Sequence, residues 1–307
     1  MTEKKNKKSA VDLFGEVLIP MFTPFDDYEV DHEKTGDLVK FLVENDYCDS
    51  LIIAGTNGEF YALSEDERKA LFKTAQKAAE DRIPTIAGTG ANTTKQTIEY
   101  SKVAEDLGYD GVMILPPYYG KPTQEEVLNH FEDIAREIDL PIIIYNIPIF
   151  TGVNIVPKTT EKLARIDNVI AIKEEAGINP VQCSDVALNT PADFTVYSGD
   201  DVMALQIMIQ GGSGVVSGGS HVVGDLMKEQ INAFLEGDVD RAKDIYSKTF
   251  PFFKALAQGD RVNPVPLTKE ALKMTGMDVG RPRLPAQTAT DSEKETLKKA
   301  LKKLGKI

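Results

Sequence analysis

Val169-Ile170-Ala171-Ile172-Lys173 is an unbroken apolar run closed by a lysine. A strand with one face in water alternates apolar and polar residues. An unbroken run belongs to a parallel strand covered on both faces. Working outward, similar runs occur at Pro141–Tyr145, Gly111–Leu115, Pro84–Gly88, Ser50–Ala54 and Val17–Phe22 on one side, and at Phe194–Ser198 and Ser213–Ser217 on the other. That makes eight runs, whose starts lie roughly 20–35 residues apart, the spacing of one βα unit.

Helical segments fill the intervals. Ser64-Glu65-Asp66-Glu67 reads as a capping box, opening a helix with Ala70, Leu71, Ala75, Ala78 and Ala79 on its inner side. Thr93…Gln96 and Thr123…Glu126 repeat the device. Eight βα units in series point to a (β/α)8 TIM barrel, closed by pairing the eighth strand with the first. A doubly wound open sheet is the competing arrangement; the count of eight and the even spacing favour closure. From about Asp225 the pattern is helix after helix, with breaks near Gly237, Gly259 and Pro264. The expected division is a flexible N-terminus over 1–12, a barrel over 13–223 and a C-terminal helical region over 224–307.

Composition narrows the classes. Of 307 residues, 42% are hydrophobic and 27% charged, as in folded soluble domains, which excludes disorder over most of the length. Lysine and arginine number 35 against 48 acidic residues, a net charge of −13. So acidic a body repels nucleic acid and anionic membrane. Lysines at 4, 5, 7 and 8, and six between Lys294 and Lys306, read as solvated ends. Cys48 and Cys183 form no CxxC pattern, so neither a zinc site nor a disulfide framework is supported. No run approaches the ~18 apolar residues of a membrane helix, and Val17–Phe22 is too short for a secretory leader. The expected compartment is the cytoplasm.

In a βα barrel, chemistry sits where strands end and loops begin. Strand six ends on Lys173. A lysine closes a buried apolar strand only when paired or used. Burial lowers its pKa, and a neutral amine attacks carbonyls to form a Schiff base. The competing reading is an ion pair with Glu59, Glu174 or Glu175. Strand five ends in Tyr145-Asn146-Ile147-Pro148, a phenol at the barrel mouth or a core tyrosine. Gly55-Thr56-Asn57-Gly58-Glu59 is a tight loop, either an anion-binding nest or a plain turn. Pro116-Pro117-Tyr118-Tyr119-Gly120 carries paired tyrosines for a site or for rim packing. A nucleophilic lysine, a tyrosine one strand away and an anion nest together suit carbonyl chemistry on a 2-oxo acid. The iminium is then the electron sink, so no metal or other cofactor is needed. Gly88–Lys95 lacks the Gly-Lys-Ser/Thr ending of a P-loop, Gly212-Ser213-Gly214 lacks the dinucleotide fingerprint, and His32, His130 and His221 have no ligand spacing.

With these pieces in order, the chain resembles the dihydrodipicolinate synthase / N-acetylneuraminate lyase family over nearly its whole length. The matching pieces are Gly55–Glu59, Tyr118-Tyr119, Tyr145–Pro148 with Thr151-Gly152, Ile172-Lys173-Glu174, Tyr197–Asp201 and Asn263–Pro266. The resemblance implies a barrel with a helical extension, a homotetramer of two tight dimers, and a lysine–pyruvate Schiff base without metal. It assigns Lys173 as the Schiff-base lysine and Tyr145 as the proton-transferring tyrosine. Thr56 becomes the relay hydroxyl, with Asn57 and Gly58 beside it in the substrate loop. Tyr119 becomes the residue completing a neighbouring subunit's site, and Val216 the strand-eight position whose carbonyl faces pyruvate. Two positions depart from the synthases. Asn57 replaces their second threonine. Phe150 stands two residues beyond Pro148, where they carry an arginine that grips the aldehyde's carboxylate; Lys121 is a candidate substitute. Gly218-Gly219-Ser220-His221 matches no one specificity.

The leading expectation is thus a class I aldolase or lyase joining or separating pyruvate and an aldehyde, on a 2-keto-3-deoxy sugar acid or similar 4-hydroxy-2-oxo acid. Second is the family's condensation of pyruvate with aspartate semialdehyde, third a keto-deoxy sugar acid dehydratase. A catalytically silent barrel that binds 2-oxo acids is the reading from another class.

Overall fold

A computed structural model describes residues 8–175 and 179–307. The strands are β1 (Val17–Pro20), β2 (Ser50–Ile53), β3 (Thr85–Gly88), β4 (Gly111–Ile114), β5 (Ile142–Asn146), β6 (Val169–Glu174), β7 (Thr195–Ser198) and β8 (Gly214–Val216). They form a closed barrel in the order β1-β8-β7-β6-β5-β4-β3-β2, with helices between strands. Every residue of all eight is buried, as the unbroken apolar runs require. A two-residue hairpin, Phe25–Asp26 with Glu29–Val30, lies outside the barrel sheet.

The chain groups into two compact units. One comprises residues up to Leu18 with Pro84–Val216. Here Ser9 caps a short helix, Ala10–Phe14, and the Ala10 N–H donates to Thr195 Oγ1 at 3.2 Å. This helix begins within the stretch 1–12. Lys4, Lys5 and Lys7 lie outside the described residues. Thr123 and Glu126 form the expected capping box of helix Gln124–Glu137, while Thr93 caps helix Thr94–Asp106 through the Gln96 N–H.

The most consequential local feature of this unit is an irregular register between β5 and β6. Ile142 pairs with Val169, but Ile143 pairs with Ala171, so the register slips by one residue. A one-residue slip moves every following side chain to the other face of its strand relative to its partner. Tyr145 consequently pairs with Lys173, and Asn146 with Glu174. Without the slip Tyr145 would face Ile172.

The second unit comprises Ile19–Ile83 with Ser217–Ile307. Helix Glu65–Ala79 opens with the Ser64–Glu67 capping box, but its buried residues are Arg68, Leu71, Phe72, Ala75 and Ala79. Ala70 and Ala78 are only half-buried, because the inner face is centred on Phe72. The C-terminal helices are Ser220–Leu235, Val239–Ala255, Val265–Met274 and Asp291–Leu304. The first runs across the expected 223/224 boundary, with non-helical backbone at Val223. Gly237 and Gly259 sit in the left-handed region between helices, where a side chain would be strained.

Candidate active site

Lys173 is 4% exposed. Its Nζ lies 4.0 Å from the centroid of the Tyr145 ring, the neighbour that the slipped register provides. Burial holds its ammonium below the ordinary lysine value of 10.5, partly opposed by Glu175, Asp201 and Asp200. The direction follows from desolvation, which disfavours the charged form. No ion pair among the described residues includes Lys173.

The three carboxylates offered as partners go elsewhere. Strand alternation throws Glu174 to the face opposite Lys173. Its oxygens accept from Asn146 Nδ2 at 2.9 and 3.0 Å and from Gln182 Nε2 at 3.1 Å. With neutral donors only, burial pushes this carboxyl up to about 7. Asn146 also accepts from the Ile155 N–H at 2.9 Å, so the amide network fastens the loop after β5 to the end of β6. Glu175 comes near Lys173 without pairing to it. Glu59 belongs to the second unit and pairs there with Lys269.

That pair is the feature the sequence reading missed. Lys269 Nζ lies 2.7 Å from Glu59 Oε1, and the side chains are 2% and 1% exposed. Lys269 also donates to the Thr23 carbonyl at 2.9 Å, and the Arg283 N–H to Glu59 Oε2 at 2.9 Å. The Thr23 hydroxyl donates to the Gly58 carbonyl at 2.6 Å. These bonds hold the Gly55–Glu59 loop against the C-terminal helix Val265–Met274. Within the loop Thr56 is half-buried, while Asn57, Gly58 and Glu59 are buried. Breaking a buried pair by removing one partner leaves an uncompensated charge and costs about 3–5 kcal/mol. Lys269→Met is therefore expected to lower the melting temperature by about 5–8 °C, taking an unfolding entropy of roughly 2 cal/mol/K per residue. Calorimetry checks it; a shift under about 1 °C would refute the pair's importance.

The two unexplained sequence departures in this unit meet each other. A Cβ on Gly218 would lie 2.7 Å from Asn57 Nδ2, so the glycine makes room for the asparagine. His221 Nδ1 bonds the Gly218 carbonyl at 2.8 Å, and its Nε2 accepts from the Phe22 N–H at 3.2 Å. Burial drives its pKa to about 4, so the ring is neutral and structural.

In the first unit Val216 is buried and pairs with Leu18. Tyr119 is 93% exposed at φ 67. Phe150, 41% exposed, lies in the short helix Pro148–Thr151 closed by Gly152. Lys121 lies over that glycine, with its Nζ 4.0 Å from where a Gly152 Cβ would be. Among the described residues no cluster of histidine, cysteine or carboxylates is placed to hold a metal, and no helix is long and apolar enough to cross a membrane.

A closed βα barrel with a buried lysine at a strand end, its amine beside a phenol, defines a class of Schiff-base lyases. The chain belongs to the Dihydrodipicolinate synthetase family, whose model matches residues 13–304; it is a pyruvate-dependent class I aldolase. It is 45% identical over 293 residues to the 4-hydroxy-tetrahydrodipicolinate synthase of Moorella thermoacetica, covering 95% of this chain and 99% of that one. Its fold superposes on the dihydrodipicolinate synthase of Cyanidioschyzon merolae, solved with lysine bound, at a TM-score of 0.91 and 37% identity, over 96% and 99% of the chains. The Acinetobacter baumannii dihydrodipicolinate synthase, solved in complex with pyruvate, superposes at 0.88 with 33% identity, over 95% and 99%.

Proposed function

We propose that the protein is a 4-hydroxy-tetrahydrodipicolinate synthase, condensing pyruvate with aspartate semialdehyde. The reading is carried by its likeness to synthases over nearly its full length. It reverses the order expected from sequence, where the sugar-acid reading led because Phe150 replaces an arginine.

Lys173 attacks the keto carbon of pyruvate as a neutral amine and, with loss of water, forms an iminium. The iminium withdraws electrons from the methyl carbon, a proton leaves, and the enamine adds to the aldehyde carbon. The iminium serves as the electron sink, so the proposed reaction calls for no metal or organic cofactor. Tyr145, side by side with Lys173, moves the protons of the enamine and carbon–carbon bond-forming steps. Thr56 relays them, and Tyr119 of a neighbouring subunit completes the chain in a homotetramer; its full exposure in a single chain supports that role. The backbone of Thr56, Asn57 and Gly58 and the Val216 carbonyl hold the pyruvate. A cytoplasmic setting is in keeping with Cys48 and Cys183 being free thiols.

The aldehyde's carboxylate needs a cation. Lys121, lying over Gly152 two residues from Phe150, supplies it. Losing a hydrogen bond to a charged group costs about 1.5–3 kcal/mol, roughly 10- to 150-fold. Lys121→Met is expected to lower kcat/KM for aspartate semialdehyde by that factor while leaving neutral aldehydes unchanged. Adding Phe150→Arg should recover much of it. The specific observation for a second reading is Phe150 itself, an apolar face suited to a neutral sugar-derived aldehyde. Wild-type kcat/KM for aspartate semialdehyde at least about 10-fold above glyceraldehyde supports the synthase. The opposite ratio restores the keto-deoxy sugar acid reading.

A further inference from the structure

Among the described residues, Glu175 is the strongest charge acting on Lys173, and its carboxylate makes no hydrogen bond or ion pair there. It follows the last residue of β6, and its N–H donates to the Asn146 carbonyl at 3.0 Å. Its Oε2 and the Lys173 Cε both converge on Gly199, lying 2.9 and 3.1 Å from the place a Cβ would take there. Any side chain at 199 would push the two groups apart. Glu175 is half-buried, and the charged groups that act on it are Lys173, Asp200, Asp201 and Glu174. Of these Lys173 is the strongest, and the only one that favours its ionised form. Asp200 is engaged as a cap, accepting from the Val202 N–H at 2.9 Å.

We propose that Glu175 is the acid–base partner of Lys173, taking the proton from its ammonium before attack and giving it to the hydroxyl that leaves the carbinolamine. First the Glu175 carboxylate accepts a proton from Lys173, leaving a carboxylic acid and a neutral amine. The nitrogen lone pair then forms the N–C bond to the keto carbon. A proton on that nitrogen passes to the keto oxygen, giving a neutral carbinolamine. The Glu175 acid then protonates the new hydroxyl, the C–O bond breaks, and water departs. The nitrogen lone pair closes the C=N bond, so an iminium cation faces a regenerated carboxylate. The transfer runs through one bridging water or one rotamer change, as is usual for a site without substrate. Burial raises the Glu175 carboxyl above its ordinary value while it lowers that of Lys173, and both directions favour passage of the proton from the ammonium to the carboxylate.

The proposal rests on Lys173 being the Schiff-base residue, and its test separates the two. Wild type and Glu175→Gln are mixed with pyruvate and quenched with borohydride at timed intervals across a pH series. The rate and the final extent of labelling at Lys173 are both read. In Glu175→Gln the rate is expected to fall on the order of 10²-fold and to lose the limb of the pH profile that Glu175 governs, with full labelling at long times. Glu175→Asp should recover part of the rate, and added formate should do the same for Glu175→Ala, which keeps the test available if the glutamine variant does not fold. A rate and profile within about threefold of wild type would overturn the proposal, as would a slower rate with an unaltered profile. Wild type that traps no pyruvate overturns the Schiff-base reading itself, and this one with it.

Discussion

Lys173→Ala is expected to lower kcat for pyruvate condensation by on the order of 10⁴- to 10⁶-fold, the usual consequence of deleting a covalent nucleophile. The loss is large because the iminium does two jobs. It activates the methyl carbon for proton loss, and it holds the resulting enamine in place for the aldehyde. With the amine gone, nothing accepts the electron pair. Lys173→Arg should not rescue activity, because a guanidinium stays protonated and cannot attack a carbonyl. A steady-state assay with pyruvate and aspartate semialdehyde reads the effect; activity within tenfold of wild type in either variant would exclude Lys173 as the nucleophile.

Tyr145→Phe is the second large effect, expected at roughly 10²–10⁴ in kcat, the range of a general acid–base group. The ring lies 4.0 Å from Lys173 Nζ, so phenylalanine preserves the packing and the cation–π contact and removes only the hydroxyl. KM for pyruvate and the final borohydride labelling should change little, whereas kcat falls. If kcat and labelling fall together, Tyr145 is positioning Lys173 rather than moving protons.

Much of the fold was legible because parallel strands covered on both faces carry their own signature. All eight apolar runs are barrel strands, with ends shifted by a residue or two: the run through Phe22 stops at Pro20, and the sixth reaches Glu174. Lys173 stood out for the same reason, as a charge closing an apolar run. The resemblance fixed expectations for Tyr145 and Thr56, but composition and periodicity could not show Tyr145 pairing with Lys173. That pairing depends on the register slip between Ile142 and Ile143, and a slip of one residue leaves no mark in either strand's sequence. The Glu59–Lys269 pair was hidden differently. Lys269 sits in an amphipathic helix where a lysine ordinarily reads as solvated, and its partner lies 210 positions away. No local pattern connects them. Glu174 and Glu175 are adjacent in sequence, yet one enters an amide network and the other lies with Lys173 around Gly199. Only the strand geometry separates the structural carboxylate from the one positioned for chemistry.

The most direct test of the account is the site of covalent trapping. Wild-type protein treated with pyruvate and borohydride should gain the mass of one reduced pyruvyl group per chain, confined to the tryptic peptide that contains Lys173, and Lys173→Ala should gain none. Trapping at full stoichiometry in Lys173→Ala, or on a peptide elsewhere such as that of Lys121 or Lys269, would contradict it.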